Sequence, residues 1–392
     1  MLAAVSLLAV VCGGASALLG TCGPFTDVAA DGFCPFVLEI FTLGITTGTS
    51  PTTYDPASSV SRLQMAAFLS RSVDGVLKRN SRRAALRQFW TPQNARAMAA
   101  TGVGLAPRLL KSDGLDIWVV TPFSDAVSRL RGTDGKLLDT WNGATRATGV
   151  LVAMGRVFAT GAPVGPPGNL YRIDPTQPAG IVTTLASTLG ESPFGIAYDG
   201  THIWTANNGV NAPTVPGSVS IVTPGATIPW TVTNVTTGFA APAGILYDGA
   251  NIWVTDPLAG TLLKLDSAGA VLQTVTVGFS PGFPVFDGTN IWVPNIGSGS
   301  ITVVRASSGA VIQTLSGNGM GTPESVAFDG QRVLVTNFLA DTVSLWKAAD
   351  LTPLGFFSVS TTTNLDFRPY GACSDGANFW ITLFASSQVL RF

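Results

Sequence analysis

One local pattern limits what this chain can become. An Asp-Gly pair is followed, after two further residues, by an apolar residue and then an aromatic one. The pattern opens at Ser112-Asp113-Gly114-Leu115-Asp116-Ile117-Trp118. Close copies follow at Tyr198-Asp199-Gly200-Thr201-His202-Ile203-Trp204, Tyr247-Asp248-Gly249-Ala250-Asn251-Ile252-Trp253 and Phe286-Asp287-Gly288-Thr289-Asn290-Ile291-Trp292. Phe328-Asp329-Gly330-Gln331-Arg332-Val333-Leu334 and Ser374-Asp375-Gly376-Ala377-Asn378-Phe379-Trp380 complete the series, and Met154-Gly155-Arg156-Val157-Phe158 is a degraded copy. Turn positions 113, 155, 199, 248, 287, 329 and 375 lie 42, 44, 49, 39, 42 and 46 residues apart. That interval suits four short strands and their turns.

The fourth copy shows how a repeat divides. Pro242 to Tyr247 reads as the innermost strand, Asp248-Gly249 as the hairpin turn, and Ile252 to Asp256 as the second strand. Gly260 to Asp266 and Val271 to Val277 read as the third and fourth. The Asp side chain can accept amides of its own turn, and Gly takes the positive φ such turns require. A sheet of this kind leaves one face bare, and closing a ring of sheets covers it. The paired aromatics, Tyr247 with Trp253 and Phe286 with Trp292, are expected between neighbouring sheets. The predicted fold is mainly β: a seven-bladed β-propeller of four-stranded antiparallel blades, with six or eight blades as alternatives because the second copy is poor. The last repeat ends at Leu390-Arg391-Phe392 after a third strand. Its outer strand is therefore expected from the segment between Arg87 and Ala100.

Composition agrees with an all-β body. Charged residues make up 11% of the chain, while Gly (44) and Pro (25) are abundant; Gly and Pro weaken helix interiors. A net charge of -1 supplies no field to attract nucleic acid. After the first twenty residues no apolar run approaches the ~18 residues needed to cross a bilayer.

The N-terminus reads differently. Met1 to Leu19 is apolar and ends in Ala15-Ser16-Ala17, the small-x-small pattern of a signal peptidase site. Residues 1–17 are read as a signal peptide, with a retained membrane anchor as the alternative. Lipidation of Cys12 is disfavoured by Val10-Val11 before it. Export into an oxidising compartment would allow Cys22 and Cys34 to pair, leaving Cys373 as a buried, inert thiol.

Residues 22–73 read as a helix, loop, helix module. Phe36 to Leu43 has helical spacing, and Val60 to Arg71 places Leu63, Ala66, Ala67 and Phe68-Leu69 on one face. Ser58 or Ser59 can cap the second helix. Four motifs in order, Phe25-Thr26-Asp27-Val28, Leu43-Gly44-Ile45-Thr46-Thr47-Gly48-Thr49, Tyr54-Asp55-Pro56 and Ser61-Arg62-Leu63-Gln64-Met65-Ala66-Ala67-Phe68-Leu69, resemble one S-layer homology (SLH) repeat. The resemblance spans about fifty residues. It implies anchoring to cell-wall polysaccharide, with Asp27 and Arg62 at the matching positions; the alternative is a folded spacer that these two residues brace. Seven basic residues between Arg71 and Arg96, against Asp74 alone, form either an anionic-polymer contact or the solvated face of a linker. The linker and closing strand occupy 74–100, and the propeller 101–392.

The propeller repeats resemble the YVTN and NHL types, through Pro-x-Gly-Ile-x-aromatic-Asp-Gly followed by Ile-Trp-Val-Thr-Asn; Val335-Thr336-Asn337 and Val293-Pro294-Asn295 are local copies. That resemblance implies the fold over about 290 residues. Such a fold carries lyases, lactonases and binders alike, so function rests on a site.

Strand order puts the Asp-Gly turns on one face of the disk and the loops entering each first strand on the other. One position after each entering proline lies at the channel mouth: Arg108, Phe194, Ala243, Gly282, Glu324 and Tyr370. Arg368 adds a second cation beside Tyr370, and Asn207, Asp256, Asn295 and Asn337 end second strands nearby. The candidate ligand residues are Arg108, Phe194, Glu324, Arg368 and Tyr370. They bind a polar ligand or, alternatively, plug the channel as an internal ion pair. The single histidine, His202, sits in an Asp-Gly turn on the opposite face, so no two-histidine centre can form. No catalytic residue and no metal ligand is assigned.

These readings predict a non-catalytic, exported cell-surface or envelope protein whose propeller is a binding or assembly platform. Its expected partners are cell-wall polysaccharide or another envelope component, other surface proteins, or further copies of itself. No cofactor is expected. The alternatives are a secreted lyase or lactonase assisted by a divalent cation such as calcium, and a structural surface-layer subunit.

Overall fold

Each of the six Asp-Gly pairs that open the repeats forms a hairpin tip held by one carboxylate. In the fourth repeat, Asp248 Oδ1 accepts the amides of Ala250 (2.8 Å) and Asn251 (2.7 Å). Gly249 takes φ +96°, a conformation disfavoured for side chains with a Cβ. The other oxygen, Oδ2, accepts the indole N–H of Trp253 at 2.7 Å. The same bond joins Asp113 to Trp118, Asp199 to Trp204, Asp287 to Trp292 and Asp375 to Trp380, at 2.7 to 2.8 Å. In the sixth repeat, Leu334 replaces the indole, and Asp329 Oδ2 accepts Arg332 Nε instead at 2.8 Å.

The structure is a computed structural model. It describes residues 22–69 apart from 23, 30–32, 43–45, 63 and 67, and residues 100–392 apart from 163–166, 210–214 and 360–365. The leader 1–17, Cys12 and the basic stretch Arg71–Arg96 lie outside the described residues. Two compact units divide the chain, residues 1–91 and residues 92–392.

The second unit is a seven-bladed β-propeller: seven four-stranded antiparallel sheets, each ordered from inner to outer strand. The fourth blade comprises Ile245–Tyr247, Ile252–Asp256, Thr261–Leu265 and Val271–Thr276. Its last three strands match the sequence reading to within one or two residues. The seventh blade takes its first three strands from the C-terminus and its outer strand, Ala100–Gly102, from the N-terminal end, with Thr101 opposite Val389. The closing strand thus begins at the last residue of the expected segment.

Seven separate apolar clusters fill the seven seams. Trp253 and Leu262 of the fourth blade pack with Ile291, Val293 and Val304 of the fifth. Trp380 and Val389 of the seventh pack with Leu110, Ile117 and Val119 of the first, which closes the circle. The five indoles of the repeats are fully buried, each removing a large apolar surface from water. The paired aromatics pack between neighbouring blades, as expected, each member of a pair in a different seam. Trp253 stands opposite Leu246, and Tyr247 opposite Ile252. Because side chains alternate across a strand, Tyr247 faces the third-to-fourth seam and Trp253 the fourth-to-fifth.

In the first unit a helix spans Cys34–Thr42, and a disulfide joins Cys22 to Cys34. Its small core holds Cys22, Phe25, Val28 and Val37, with Phe41 and Tyr54 against them. The second helix is not capped by Ser58 or Ser59. Ser61 and Gln64 form a reciprocal capping box, with Ser61 N–H donating to Gln64 Oε1 (2.8 Å) and Gln64 N–H to Ser61 Oγ (3.2 Å). This helix buries less than its pattern predicts: Ala66 and Leu69 are exposed, and Phe68 is half-buried. Leu63 and Ala67 lie outside the described residues.

Replacing the clasp should separate its two contributions. Asp248→Ala removes the acceptor for two amides and an indole, and stability is expected to fall by about 2–4 kcal/mol. Asp248→Asn keeps an acceptor for the amides but loses the one for the indole, and about half that loss is expected. Urea unfolding followed by tryptophan fluorescence reads both.

Candidate ligand site at the channel mouth

The mouth is built by three backbone devices. Six of the entering loops end in a non-glycine residue with left-handed φ between +48° and +54°: Ala106, Arg146, Ser192, Ser280, Thr322 and Arg368. Such residues are strained unless their surroundings hold them, and the next residue opens the inner strand or its approach. Several inner strands then carry a bulge, at Ala147/Gly149, Pro193/Ile196, Pro323/Val326 and Pro369/Ala372. A bulge re-aims the extra side chain. Here it serves Thr148, Phe194, Glu324 and Tyr370.

The third device is a buried threonine on the second strand. Its hydroxyl accepts an amide of its own inner strand and donates to the carbonyl of the next blade's mouth residue. Thr255 takes Gly244 N–H (2.9 Å) and reaches Gly282 O (2.8 Å). Thr336 takes Ser325 N–H (3.0 Å) and reaches Tyr370 O (2.7 Å). Thr382 takes Gly371 N–H (2.8 Å) and reaches Arg108 O (2.6 Å) across the seam where the ring closes. Gly371 is required for this approach, because a Cβ there would collide with the Arg108 carbonyl.

Three of the predicted residues meet a fourth in one cluster. The Arg108 guanidinium lies between the rings of Phe194 (5.4 Å) and Tyr370 (5.6 Å), contacts that hold a cation by the ring quadrupole. The Tyr370 phenol lies beside the Glu324 carboxyl. Glu324 keeps some access to the channel, yet protein closes round it. Desolvation pushes its carboxyl up from 4.5 to about 7, against the opposing pull of Tyr370 and Arg108. The phenol of Tyr370 is pushed upward by burial and by the nearby carboxyl. No ion pair within 4.0 Å joins Arg108 to Glu324 among the described residues. Arg108 Nε is buried without an acceptor.

An aromatic run extends outward from this cluster. Tyr370 contacts Phe283 (5.9 Å), Phe338 (5.9 Å) and Phe384 (6.0 Å), and Phe384 leads to the exposed Phe123 at 6.5 Å. The sequence reading missed these rings. Phe123, Phe338 and Phe384 each lie one or two residues beyond the end of a second strand, a shared offset that was the available signal. It also missed Thr148, the mouth residue of the degraded repeat, where Ala147 replaces the entering proline.

The other predicted residues lie elsewhere. Arg368 is drawn to Asp366 (2.6 Å) and stacks on Phe338 (5.6 Å), one ring outward from Tyr370. Asn207, Asp256, Asn295 and Asn337 are buried and brace their own blades; Asn337 Nδ2, for example, donates to Ser344 Oγ on the third strand at 2.8 Å. His202 is half-buried beside Asp199. Burial pushes the Cys373 thiol up to about 12, as an inert thiol requires. In the first unit, Asp27 accepts the amides of Tyr54 and Asp55 at 2.7 to 3.0 Å, bonds that lower its carboxyl below the ordinary value. Arg62 is exposed at the start of the second helix. Among the described residues, no group of three or more His, Cys, Asp or Glu is placed to hold a metal ion, and no helix is long and apolar enough to cross a membrane.

No family model matches the chain, and no curated protein matches it in sequence. Solved structures do share its fold. A streptogramin B lyase is 14% identical with a TM-score of 0.58, the match covering 75% of this chain and 97% of that one. The virginiamycin B lyase of Staphylococcus aureus is 16% identical with a TM-score of 0.59, covering 75% and 98%. The WD40 propeller domain of Doa1 is 12% identical with a TM-score of 0.58, covering 76% and 95%. At such identities the likeness is one of fold.

The raised carboxyl makes stability depend on pH with a defined sign. Between about 4.5 and 7 the folded chain keeps the Glu324 proton and the unfolded chain has lost it. The unfolded state then binds fewer protons, so this contribution to stability is full below pH 4.5 and declines toward pH 7. The whole decline is at most about 3 kcal/mol. Glu324→Gln is expected to flatten this component, read as the difference between wild-type and variant urea midpoints at pH 4, 5.5 and 7.5.

Proposed function

We propose that this is an exported surface protein whose propeller is a non-catalytic binding platform, with its ligand seated at the channel mouth. The observation that carries the reading is Arg108. It is a cation held between two rings, with a buried N–H lacking an acceptor, in a mouth lined by aromatic side chains. A concave site with an apolar lining and a few convergent polar groups is the usual form of a small-molecule site. Export is supported by Ala15-Ser16-Ala17 at the end of the apolar leader. The Cys22–Cys34 disulfide suits an oxidising compartment.

The N-terminal module, SLH-like in its motifs, is assigned to cell-wall glycan. Supporting this, a groove of about 360 Å³ within the module is lined by Thr46, Thr49, Tyr54, Ser58, Ser59 and Gln64 among others. Hydroxyls, an amide and an aromatic face are the groups that suit a sugar. Asp27 supports the groove indirectly, by fixing the Tyr54-Asp55 loop. The domain division that goes with this reading is a leader at 1–17, the module at 22–73, a linker and closing strand at 74–100, and the propeller at 101–392.

A second reading, a secreted propeller lyase, is favoured by one observation. The Glu324 carboxyl is poised near 7, where a general acid or base works best. Two of the neighbours are by name lyases. Against it, the chain's one histidine belongs to the opposite face, and among the described residues the side chains that act on the Glu324 carboxyl are the raised Tyr370 phenol and Arg108.

Sedimentation with purified cell-wall material checks the anchoring role. Deletion of residues 22–71 is expected to cut retention at least tenfold, and equal retention would remove that role. For the lyase reading, turnover of a cyclic ester substrate abolished by Glu324→Gln would displace the platform.

A further inference from the structure

We infer that the channel mouth receives a small aromatic carboxylate, with Arg108 taking the carboxylate and the surrounding rings taking its apolar body. This deepens the platform reading and rests on it. Three features of the mouth select the ligand class: an unpaired cation, a single adjacent carboxyl, and an aromatic wall.

The cation needs an anion. Arg108 forms no side-chain hydrogen bond and no ion pair among the described residues, and its Nε is buried. A buried donor without an acceptor is unfavourable. Phe194 and Tyr370 hold the guanidinium in place, so little further ordering is needed on binding. A carboxylate matches the planar donor fork of Arg with two parallel hydrogen bonds.

The charge count favours a monoanion. Arg108 and Glu324 are the charged groups the inner strands bring to the mouth. The others bring Thr148, Phe194, Ala243, Gly282 and the Tyr370 phenol, none charged at neutral pH. With Glu324 protonated the mouth carries one positive charge, and the carboxyl proton can be donated to the ligand's second oxygen. With Glu324 ionised, it offsets Arg108 and repels the incoming anion. Binding therefore weakens as pH rises through about 7, and above that pH the complex takes up one proton from solvent. A phosphate dianion would find one cation and a carboxyl that ionises against it.

The wall favours a flat apolar body. Phe194, Phe283 and Tyr370, from the third, fifth and seventh blades, bring rings to the mouth from different sides, Phe283 meeting Tyr370 at 5.9 Å. Ala243 and Gly282 are the small members of the ring, with Gly282 held bare by the approach of the Glu324 carbonyl.

The test is calorimetric titration of the full chain with phenylacetate, phenylacetamide and benzylamine at pH 5.5 and 8.5. Phenylacetate stays ionised across that window, as carboxyl groups do. It is expected to bind at pH 5.5 at least tenfold more tightly than phenylacetamide, with benzylamine not binding, and to lose at least tenfold in affinity at pH 8.5. Arg108→Gln should abolish binding, and Arg108→Lys should restore only part of it. Glu324→Gln should retain binding with a flat pH profile, because the amide still donates. Near-ultraviolet circular dichroism establishes that each variant is folded. Equal binding of phenylacetamide or benzylamine, lost on Phe194→Ala, would overturn the carboxylate assignment and leave the platform standing. Binding of phenylacetate unchanged in a folded Arg108→Gln protein would also overturn it. If none of the three probes binds, the aromatic-carboxylate assignment falls and the platform reading is left standing.

Discussion

Five of the seven wedges of this ring depend on a carboxylate divided between two tasks. One oxygen holds the tip of its own hairpin, and the other reaches five residues on to an indole. The first task is local and would form in any Asp-Gly turn. The second ties the turn to the seam, because the indole is also the largest side chain between two blades. An indole N–H buried without a partner would be unfavourable by about 1–3 kcal/mol. The clasp makes that burial tolerable and fixes the ring's orientation as it does so. The sixth blade supports this logic by exception. With Leu334 in place of the indole there is no N–H to satisfy, and Asp329 turns to Arg332, whose guanidinium lies over Phe379 of the next blade.

Around the axis, the equivalent part is played by threonine. Thr255, Thr336 and Thr382 each bridge two blades through one hydroxyl. What they hold is backbone: a glycine or serine amide on one side, a mouth carbonyl on the other. Apart from Thr148, which bonds the Pro193 carbonyl, the side chains at the mouth are left out of this network. Position 108 can be Arg and position 282 Gly with the same carbonyl geometry. That separation lets a repeated scaffold carry a site with no repeated chemistry, which is how one fold comes to host many functions.

Much of the propeller was legible because its determinants lie within a few residues of one another. The Asp-Gly turn, the apolar-aromatic pair and the entering proline are all local, and six mouth positions follow from the proline alone. Two kinds of feature were not legible. One is degraded local signal: Ala147 in place of proline concealed Thr148, although the bulge and the threonine bond to the Pro193 carbonyl remain. The other is contact made only by closure. Phe123 and Phe384 are far apart in sequence and meet because the last blade borrows Ala100–Gly102 as its edge. In the module, the pairing of Cys22 with Cys34 was readable from spacing and context. The cap was misplaced because three serines precede the helix, and only Ser61 has a glutamine three residues on.

Charge at the mouth is arranged differently from charge elsewhere in the ring. Elsewhere in the propeller, ion pairs such as Arg131 with Asp134 and Lys347 with Asp350 join near neighbours on exposed turns, where they contribute little. Arg108 and Glu324 come from opposite ends of the propeller, are brought together by closure, and stop short of pairing. Burial without pairing is unfavourable for both groups, and Glu324 responds by holding its proton. Folding alone would be served as well by a neutral residue at either position. A ring whose inner strands otherwise present Thr, Phe, Ala, Gly and Tyr to the axis has no structural need for a lone guanidinium, and that surplus charge is the ground on which a ligand for the channel is proposed.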